Sequence, residues 1–90
     1  MAKSAFTKRY EHFRAILIAA RKDAGVTQMQ LAAKLRLPQS FVSKYERGER
    51  RLDIVEFLTI SEALGVDPHS ILDQLAVPRL PGSRSGRSVK

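Results

Sequence analysis

Hydrophobic residues recur every three or four positions along most of the chain, which is the spacing of one apolar helix face. In residues 7–24, for example, Phe13, Ile16, Leu17 and Ala20 fall on one face. No stretch shows the sustained alternation of apolar and polar residues that is typical of a strand. The pattern therefore predicts an all-α fold of five short helices, near residues 7–24, 28–35, 39–47, 54–64 and 68–75.

The predicted helices have start and stop signals of their own. Thr27 followed by Gln30, and Asp53 followed by Glu56, are capping boxes. In a capping box the side chain of each residue accepts a hydrogen bond from the backbone N–H of the other at the first helical turn. Asp67 stands as an N-cap before a proline, which favours the first helical position. Glycines at positions 25, 48 and 65 follow three of the helices and mark their ends.

Length and composition limit the chain to one small domain. Its 90 residues include no cysteine, which excludes a disulfide framework and a cysteine-bearing zinc site. No apolar run approaches the roughly 18 residues that cross a bilayer, and no signal peptide is apparent, so we expect a cytoplasmic protein without membrane contact.

We predict a flexible N-terminal arm over residues 1–6 and a folded domain over 7–77. Residues 78–90, rich in Pro, Gly, Ser and cations, predict a disordered basic tail.

Charge is distributed unevenly along the chain, whose formal net charge is +7. Residues 1–52 carry +8, residues 53–77 carry −5 without any Lys or Arg, and residues 78–90 carry +4. Such asymmetry indicates one face that attracts a polyanion and another that repels it.

The predicted second and third helices are separated by about three residues, the length of a helix-turn-helix connection. The segment Thr27-Gln-Met-Gln-Leu-Ala-Ala-Lys-Leu-Arg-Leu-Pro-Gln-Ser-Phe-Val-Ser-Lys-Tyr-Glu-Arg-Gly48 resembles the Cro and phage-repressor (XRE) family, and the later Ala63–Asp67 also matches. The similarity covers about residues 13–75. It implies a compact five-helix, lambda-repressor-like domain that binds double-stranded DNA. From this resemblance we expect a homodimeric, nucleoid-associated transcriptional regulator of bacterial or phage type, such as a repressor.

The turn departs from the family pattern at two positions. Arg36 occupies a place that is usually glycine because the backbone there takes a positive φ, which costs a non-glycine residue about 1 kcal/mol. Pro38 replaces the Ser or Thr that often caps the next helix, so a backbone donor there needs another acceptor.

The segment 39–47 is the predicted recognition helix, because a helix in the major groove presents its N-terminal side chains to base edges. A Gln side chain can form two hydrogen bonds with adenine, Lys can bond guanine, and Ser can bond the edges of several bases. The predicted base contacts are Gln39, Ser40, Ser43, Lys44 and Phe41. We expect Phe41 to lie off the core face, against a thymine methyl group or a sugar.

Phosphate contacts are predicted on both sides of this helix. Gln28 lies at a helix N-terminus, where free N–H groups and the helix dipole favour an anion, and in the family a glutamine here commonly holds a phosphate. The predicted set is Thr27, Gln28, Arg36, Arg50 and Arg51. Lys8 and Arg9 are a further basic pair that could reach the duplex. The resemblance also implies a partly buried structural ion pair between Arg21 and Glu46.

Other classes of function find little support in the residues. His12 and His69 are isolated from each other and from clustered carboxylates, so we predict no enzyme activity, no metal site and no cofactor. An antitoxin-type protein-interaction module that also binds its own promoter is the alternative function. For the homodimer we expect the interface on the fifth helix, through Ile71, Leu72 and Leu75.

Overall fold

The chain folds into five α-helices, and the computed structural model describes residues 7–76. The helices are α1 (Lys8–Asp23), α2 (Gln28–Leu35), α3 (Gln39–Arg47), α4 (Ile54–Leu64) and α5 (Pro68–Leu75). No strand occurs in this range, so the predicted all-α, five-helix fold is confirmed. The predicted N-terminal arm and basic tail lie outside the described residues.

The helix ends form through the local signals that the sequence carries. Both capping boxes are present, with Thr27 paired to Gln30 and Asp53 paired to Glu56. The Asp67 side chain accepts a hydrogen bond from the N–H of His69 at 3.0 Å at the start of α5. Because these bonds join residues two or three positions apart, the helix boundaries depend on short-range chemistry.

The core lies where α1 packs on α3 and α5, while α2 packs on α3 and α4. One apolar face of every helix contributes to it, and the fully buried side chains of Leu17, Leu31, Val42 and Tyr45 lie at its centre. Phe57, Ile60 and Ile71 close it from α4 and α5. The third helix packs on both α1 and α2, and its first two residues, Gln39 and Ser40, remain exposed.

The connection between α2 and α3 turns through a left-handed residue. Arg36 has φ 61° and ψ 41°, as the comparison with the usual glycine predicts. Its backbone N–H bonds the carbonyl of Ala33 at 3.1 Å, which satisfies the end of α2. Pro38 begins α3 without a side-chain cap. The strain at Arg36, about 1 kcal/mol, is offset by the packing of α2 on α3.

The hydroxyl of Tyr45 is buried and has no hydrogen-bond partner among the described residues. Burial is the main cause that raises the pKa of this phenol above its usual range. An unpaired buried hydroxyl keeps its desolvation cost of about 1–3 kcal/mol. We therefore expect Tyr45→Phe to increase the free energy of unfolding by about 1 kcal/mol, measured by denaturant titration.

Tyr10→Phe is the matched control for this prediction, since the same atom is removed from a hydroxyl that has a partner. The Tyr10 hydroxyl accepts a hydrogen bond from the backbone N–H of Leu52 at 3.1 Å. Its loss should lower the free energy of unfolding by about 1 kcal/mol. Two variants that lose stability equally would show that the Tyr45 hydroxyl is satisfied in solution.

Candidate nucleic-acid interface

The first turns of α2 and α3 lie side by side on the surface. Gln28 and Gln39 are the first residues of these two helices. The side-chain amide of Gln39 donates a long hydrogen bond of 3.4 Å to the side-chain oxygen of Gln28. Two amide side chains are thus brought together at adjoining helix N-termini, where backbone N–H groups and helix dipoles favour a negative ligand.

A buried ion pair between α1 and α3 lies beneath this surface. Arg21 Nε donates to Glu46 Oε2 at 2.7 Å, and Arg21 Nη2 donates to Glu46 Oε1 at 3.1 Å. The two side chains are 11% and 5% exposed. The Arg21 Nη1 donates to the carbonyl of Val26 at 2.8 Å. The hydrogen bond from Arg21 to Glu46 raises the pKa of Arg21, so the guanidinium stays charged despite its burial.

Gln28 connects the buried pair to the exposed surface. Its amide nitrogen donates to Glu46 Oε1 at 2.9 Å, while its oxygen faces Gln39. A chain of hydrogen bonds therefore runs from Arg21 through Glu46 and Gln28 to Gln39. The orientation of the first side chain of α3 is coupled in this way to a charge pair in the interior.

The C-terminal end of α3 is fixed by a second arginine of α1. Arg14 donates to the backbone carbonyl of Glu46 through Nε at 3.2 Å and through Nη2 at 2.8 Å. A cation at a helix C-terminus also interacts favourably with the helix dipole. Two residues of α1, two turns apart, thus hold α3 through the side chain and the backbone of Glu46.

The outer face of α3 carries the polar residues that the sequence selects for base contact. Gln39, Ser40 and Lys44 are exposed. Ser43 is half-buried, and its hydroxyl accepts a hydrogen bond from Arg47 Nη1 at 3.3 Å. The face thus offers amide, hydroxyl and ammonium groups near the N-terminal end of an anchored helix.

The expected position of Phe41 is wrong. Its ring is half-buried, packs against the core and meets the ring of Tyr45 edge-on at 5.7 Å between centroids. The guanidinium of Arg50 covers the ring at 4.7 Å from its centroid. The ring lies beside Leu35 of α2, Leu37 of the turn and Ile60 of α4, so this position next to the core face still finds apolar partners.

The predicted phosphate-binding arginines differ in their surroundings. Arg50 forms a two-pronged ion pair with Glu56, at 2.9 Å and 2.8 Å, and this hydrogen bonding lowers the pKa of Glu56. Arg51 is exposed and lies over the ring of Tyr10, at 4.8 Å from its centroid. Arg36 is exposed at the turn. Thr27 is exposed and occupied as the cap of α2.

Comparison with known proteins agrees with this arrangement. A family model described as helix-turn-helix matches residues 17–71. The chain is also similar to a solved structure, an XRE-family like protein from Pseudomonas syringae pv. tomato str. DC3000, with 49% sequence identity and a TM-score of 0.72. The match covers 74% of this chain and 82% of the other. The chain belongs to the XRE-type helix-turn-helix family. No curated protein matches it.

The XRE-type family consists of DNA-binding regulators, and this chain is a DNA-binding helix-turn-helix protein. The surface formed by the first turns of α2 and α3 is therefore its candidate nucleic-acid interface. The sequence patterns give Arg14 and Tyr10 no part in supporting this surface, and they assign Glu56 only to a capping box and not to the pair with Arg50. A signal for Arg14 exists, because it precedes Arg21 by seven residues and so lies on the same face of α1.

Proposed function

We propose that the protein is a sequence-specific regulator of transcription that places α3 in the major groove of double-stranded DNA. The observation that carries the proposal is the hydrogen-bonded amide pair of half-buried Gln28 and exposed Gln39, in which Gln28 is held from below by Glu46. A side chain that reads a base edge must be held in one orientation, because bidentate hydrogen bonds tolerate little displacement. The chain of hydrogen bonds from the interior supplies that constraint.

Base recognition in this proposal comes from the exposed first half of α3. Gln39 would bond an adenine, Lys44 a guanine, and Ser40 and Ser43 other base edges. For Phe41 the packing against Tyr45 and Arg50 favours a role in positioning α3, and its contact with a thymine methyl group stays a prediction.

Phosphate contacts in this proposal come from residues that flank α3. Gln28 and Thr27 lie at the N-terminus of α2, and Arg36 and Arg51 are exposed cations on either side of α3. Arg50 is already paired with Glu56, which screens its charge, so its share of the phosphate attraction should be smaller. These contacts fix the position of the protein without reading sequence.

The protein would act as a homodimer at an operator on the bacterial chromosome and repress by occupying a promoter. A single module reads too few base pairs for genomic specificity, whereas two modules on half-sites about 34 Å apart read enough.

We propose no catalytic activity, because the residues that define the surface suit binding. Nothing in residues 7–76 favours the alternative antitoxin function over this one. Among the described residues, no helix is long and apolar enough to cross a membrane.

Replacing Gln39 by Ala should reduce affinity for the preferred duplex by about 1–3 kcal/mol and relax the preference at one or two base pairs. Gln28→Ala should weaken binding to all duplexes through the lost phosphate contact, which carries no sequence information, and should add a smaller loss on the preferred duplex because Gln39 loses its hydrogen bond to Gln28. Selection of bound duplexes from a random pool, with each variant and with wild type, measures both effects.

Gln74→Ala is the control for these variants, since Gln74 is exposed on α5, away from the first turns of α2 and α3. It should leave both affinity and consensus unchanged. A Gln39→Ala variant that keeps the wild-type affinity and consensus would contradict the placement of α3 in the groove. Failure of the wild-type protein to select any consensus would contradict sequence-specific binding altogether.

A further inference from the structure

The last residue of α3 is an arginine that extends the polar outer face of this helix. Arg47 is exposed, and it follows Gln39 by eight residues and Ser43 by four, so the three side chains lie on one face in successive turns. Its Nη1 donates to the Ser43 hydroxyl at 3.3 Å. The face that begins at Gln39 therefore continues to the C-terminal end of the helix.

Glu49 holds the Arg47 guanidinium from outside the helix. Gly48 has φ 83°, a left-handed conformation that ends α3, and the N–H of Glu49 donates to the carbonyl of Lys44 at 2.8 Å. This turn brings the Glu49 carboxylate back beside Arg47, where it accepts from Nε at 2.9 Å and from Nη2 at 3.0 Å. The hydrogen bond to Arg47 lowers the pKa of Glu49, so the carboxylate stays ionised at neutral pH.

Within residues 7–76, the contacts of Arg47 use three of the five N–H donors that a guanidinium has. Glu49 accepts from Nε and Nη2, and Ser43 accepts from Nη1, so one N–H is left on each terminal nitrogen. Two such donors of an arginine can bond O6 and N7 of guanine together in the major groove. Arg47 therefore keeps the donors for a base contact while Glu49 and Ser43 fix its orientation.

The same carboxylate disfavours a phosphate at this position. A phosphate brought to Arg47 would lie close to the Glu49 charge and be repelled by it, and the ion pair already offsets the charge of the guanidinium. A base edge carries only partial charges, so this repulsion is weaker for a base. Within residues 7–76, Arg36 and Arg51 form no ion pair, which suits them better to phosphate.

We propose that Arg47 reads a guanine in the major groove and that Glu49 keeps this arginine from binding phosphates. The inference rests on the proposed function, to which it adds a base contact at the opposite end of α3 from Gln39. The two residues are about 12 Å apart along the helix, so their side chains meet different base pairs. Specificity then depends on Glu49 although it reads no base, because it restrains a cation that could otherwise bind any duplex.

Arg47→Gln should remove a preference for guanine at one base pair and lower the affinity for the preferred duplex roughly 10- to 100-fold. Its affinity for scrambled duplexes should change little, because the paired cation attracts phosphate weakly. Arg47→Lys keeps the charge without the planar fork, so the guanine preference should weaken while the salt dependence stays that of wild type. Both side chains of the pair are more than half exposed, so these variants should keep the fold. Selection from a random pool and salt titrations of binding measure the effects.

Glu49→Gln should instead tighten binding to scrambled duplexes roughly 3- to 10-fold and steepen the log–log salt slope by about 1 per protomer, because the released cation reaches a phosphate. The preferred duplex should gain less, so the ratio of specific to non-specific affinity should fall. Glu62→Gln is the control, because it removes the same charge from an exposed residue of α4, a helix that carries none of the proposed DNA contacts. It should leave both affinities unchanged.

Equal losses on preferred and scrambled duplexes in Arg47→Gln would show a phosphate contact and overturn the base contact. Scrambled-duplex affinities that agree between Glu49→Gln and Glu62→Gln would overturn the restraint by Glu49. A wild-type consensus that Arg47→Gln keeps would refute this inference alone. A wild-type protein that selects no consensus would refute the proposed function together with it, so the two failures are distinguishable.

Discussion

Replacing Glu46 by Gln is expected to lower the free energy of unfolding by about 3 kcal/mol. The carboxylate is 5% exposed, and it accepts two hydrogen bonds from Arg21 and one from Gln28. The amide has only one acceptor oxygen and leaves the Arg21 charge desolvated without a counter-charge. Breaking a buried pair in this way costs about 3–5 kcal/mol. Denaturant unfolding followed by circular dichroism measures the change.

Glu49→Gln is the matched control, because it makes the same chemical change in the same part of the chain. Glu49 pairs with Arg47 at 2.9 Å, but the two side chains are 51% and 56% exposed. A surface pair contributes about 0–1 kcal/mol, so this variant should unfold close to the wild-type midpoint. A double-mutant cycle of Arg21 and Glu46 should show a coupling of about 0.5–3 kcal/mol. Equal, small losses in Glu46→Gln and Glu49→Gln would contradict a buried pair.

Glu46→Gln should also weaken specific DNA binding in the molecules that remain folded. Gln28 loses the carboxylate that holds its amide, and the orientation of Gln39 then depends on one long hydrogen bond. The loss should fall mainly on the preferred duplex, while binding to unrelated duplexes changes less, because phosphate contacts are sequence-independent. This separates a positioning role of Glu46 from a general loss of folded protein, which would weaken binding to all duplexes by the same factor.

The helix boundaries could be predicted from the sequence because they depend on neighbours within a few residues. Thr27 bonds the N–H of Gln30, Asp53 bonds the N–H of Glu56, and each bond forms whenever that turn is helical. The left-handed conformation of Arg36 could be predicted only through the family resemblance, because the family usually has glycine at this turn position. In this chain, short-range chemistry and the apolar periodicity together determine the fold class.

The contacts that complete the candidate interface could not be predicted in this way. Arg14 reaches a carbonyl 32 residues away, and Tyr10 accepts a hydrogen bond from an N–H 42 residues away. Such partners meet only after the helices pack, and helical periodicity gives the face of a residue without giving its partner. Phe41 shows the same limit, because its ring packs against the core and is covered by Arg50, which is itself paired with Glu56 of α4. Sequence patterns therefore identify the surface, whereas packing decides which of its cations are already paired.

DNA binding should depend steeply on salt, with a log–log slope of roughly −5 to −9 for a dimer with about three to five phosphate contacts per protomer. Each neutralised phosphate releases condensed counterions, so the affinity should fall about 10³- to 10⁵-fold between 50 and 200 mM salt. Arg21, Arg47 and Arg50 already pair with carboxylates, which limits their part in this slope. A salt titration on consensus and scrambled duplexes, followed by fluorescence anisotropy, measures it. A slope near zero would contradict an interface made with phosphates.

Neutralising the four cations of the segment 78–90 should make this slope shallower without changing the preferred sequence. The substitutions are Arg79→Gln, Arg84→Gln, Arg87→Gln and Lys90→Gln in the full-length chain. Gln replaces each cation by a polar group, so the loss should fall on phosphate attraction and be largest on the scrambled duplex.

Arg36→Gln combined with Arg51→Gln is the control, because it removes charge beside α3, where affinity for the consensus should fall as well. A tail variant with a changed consensus would show that the tail reads bases. A tail variant with the wild-type slope would show that these cations do not reach the phosphates, and it would favour a protein partner for the tail.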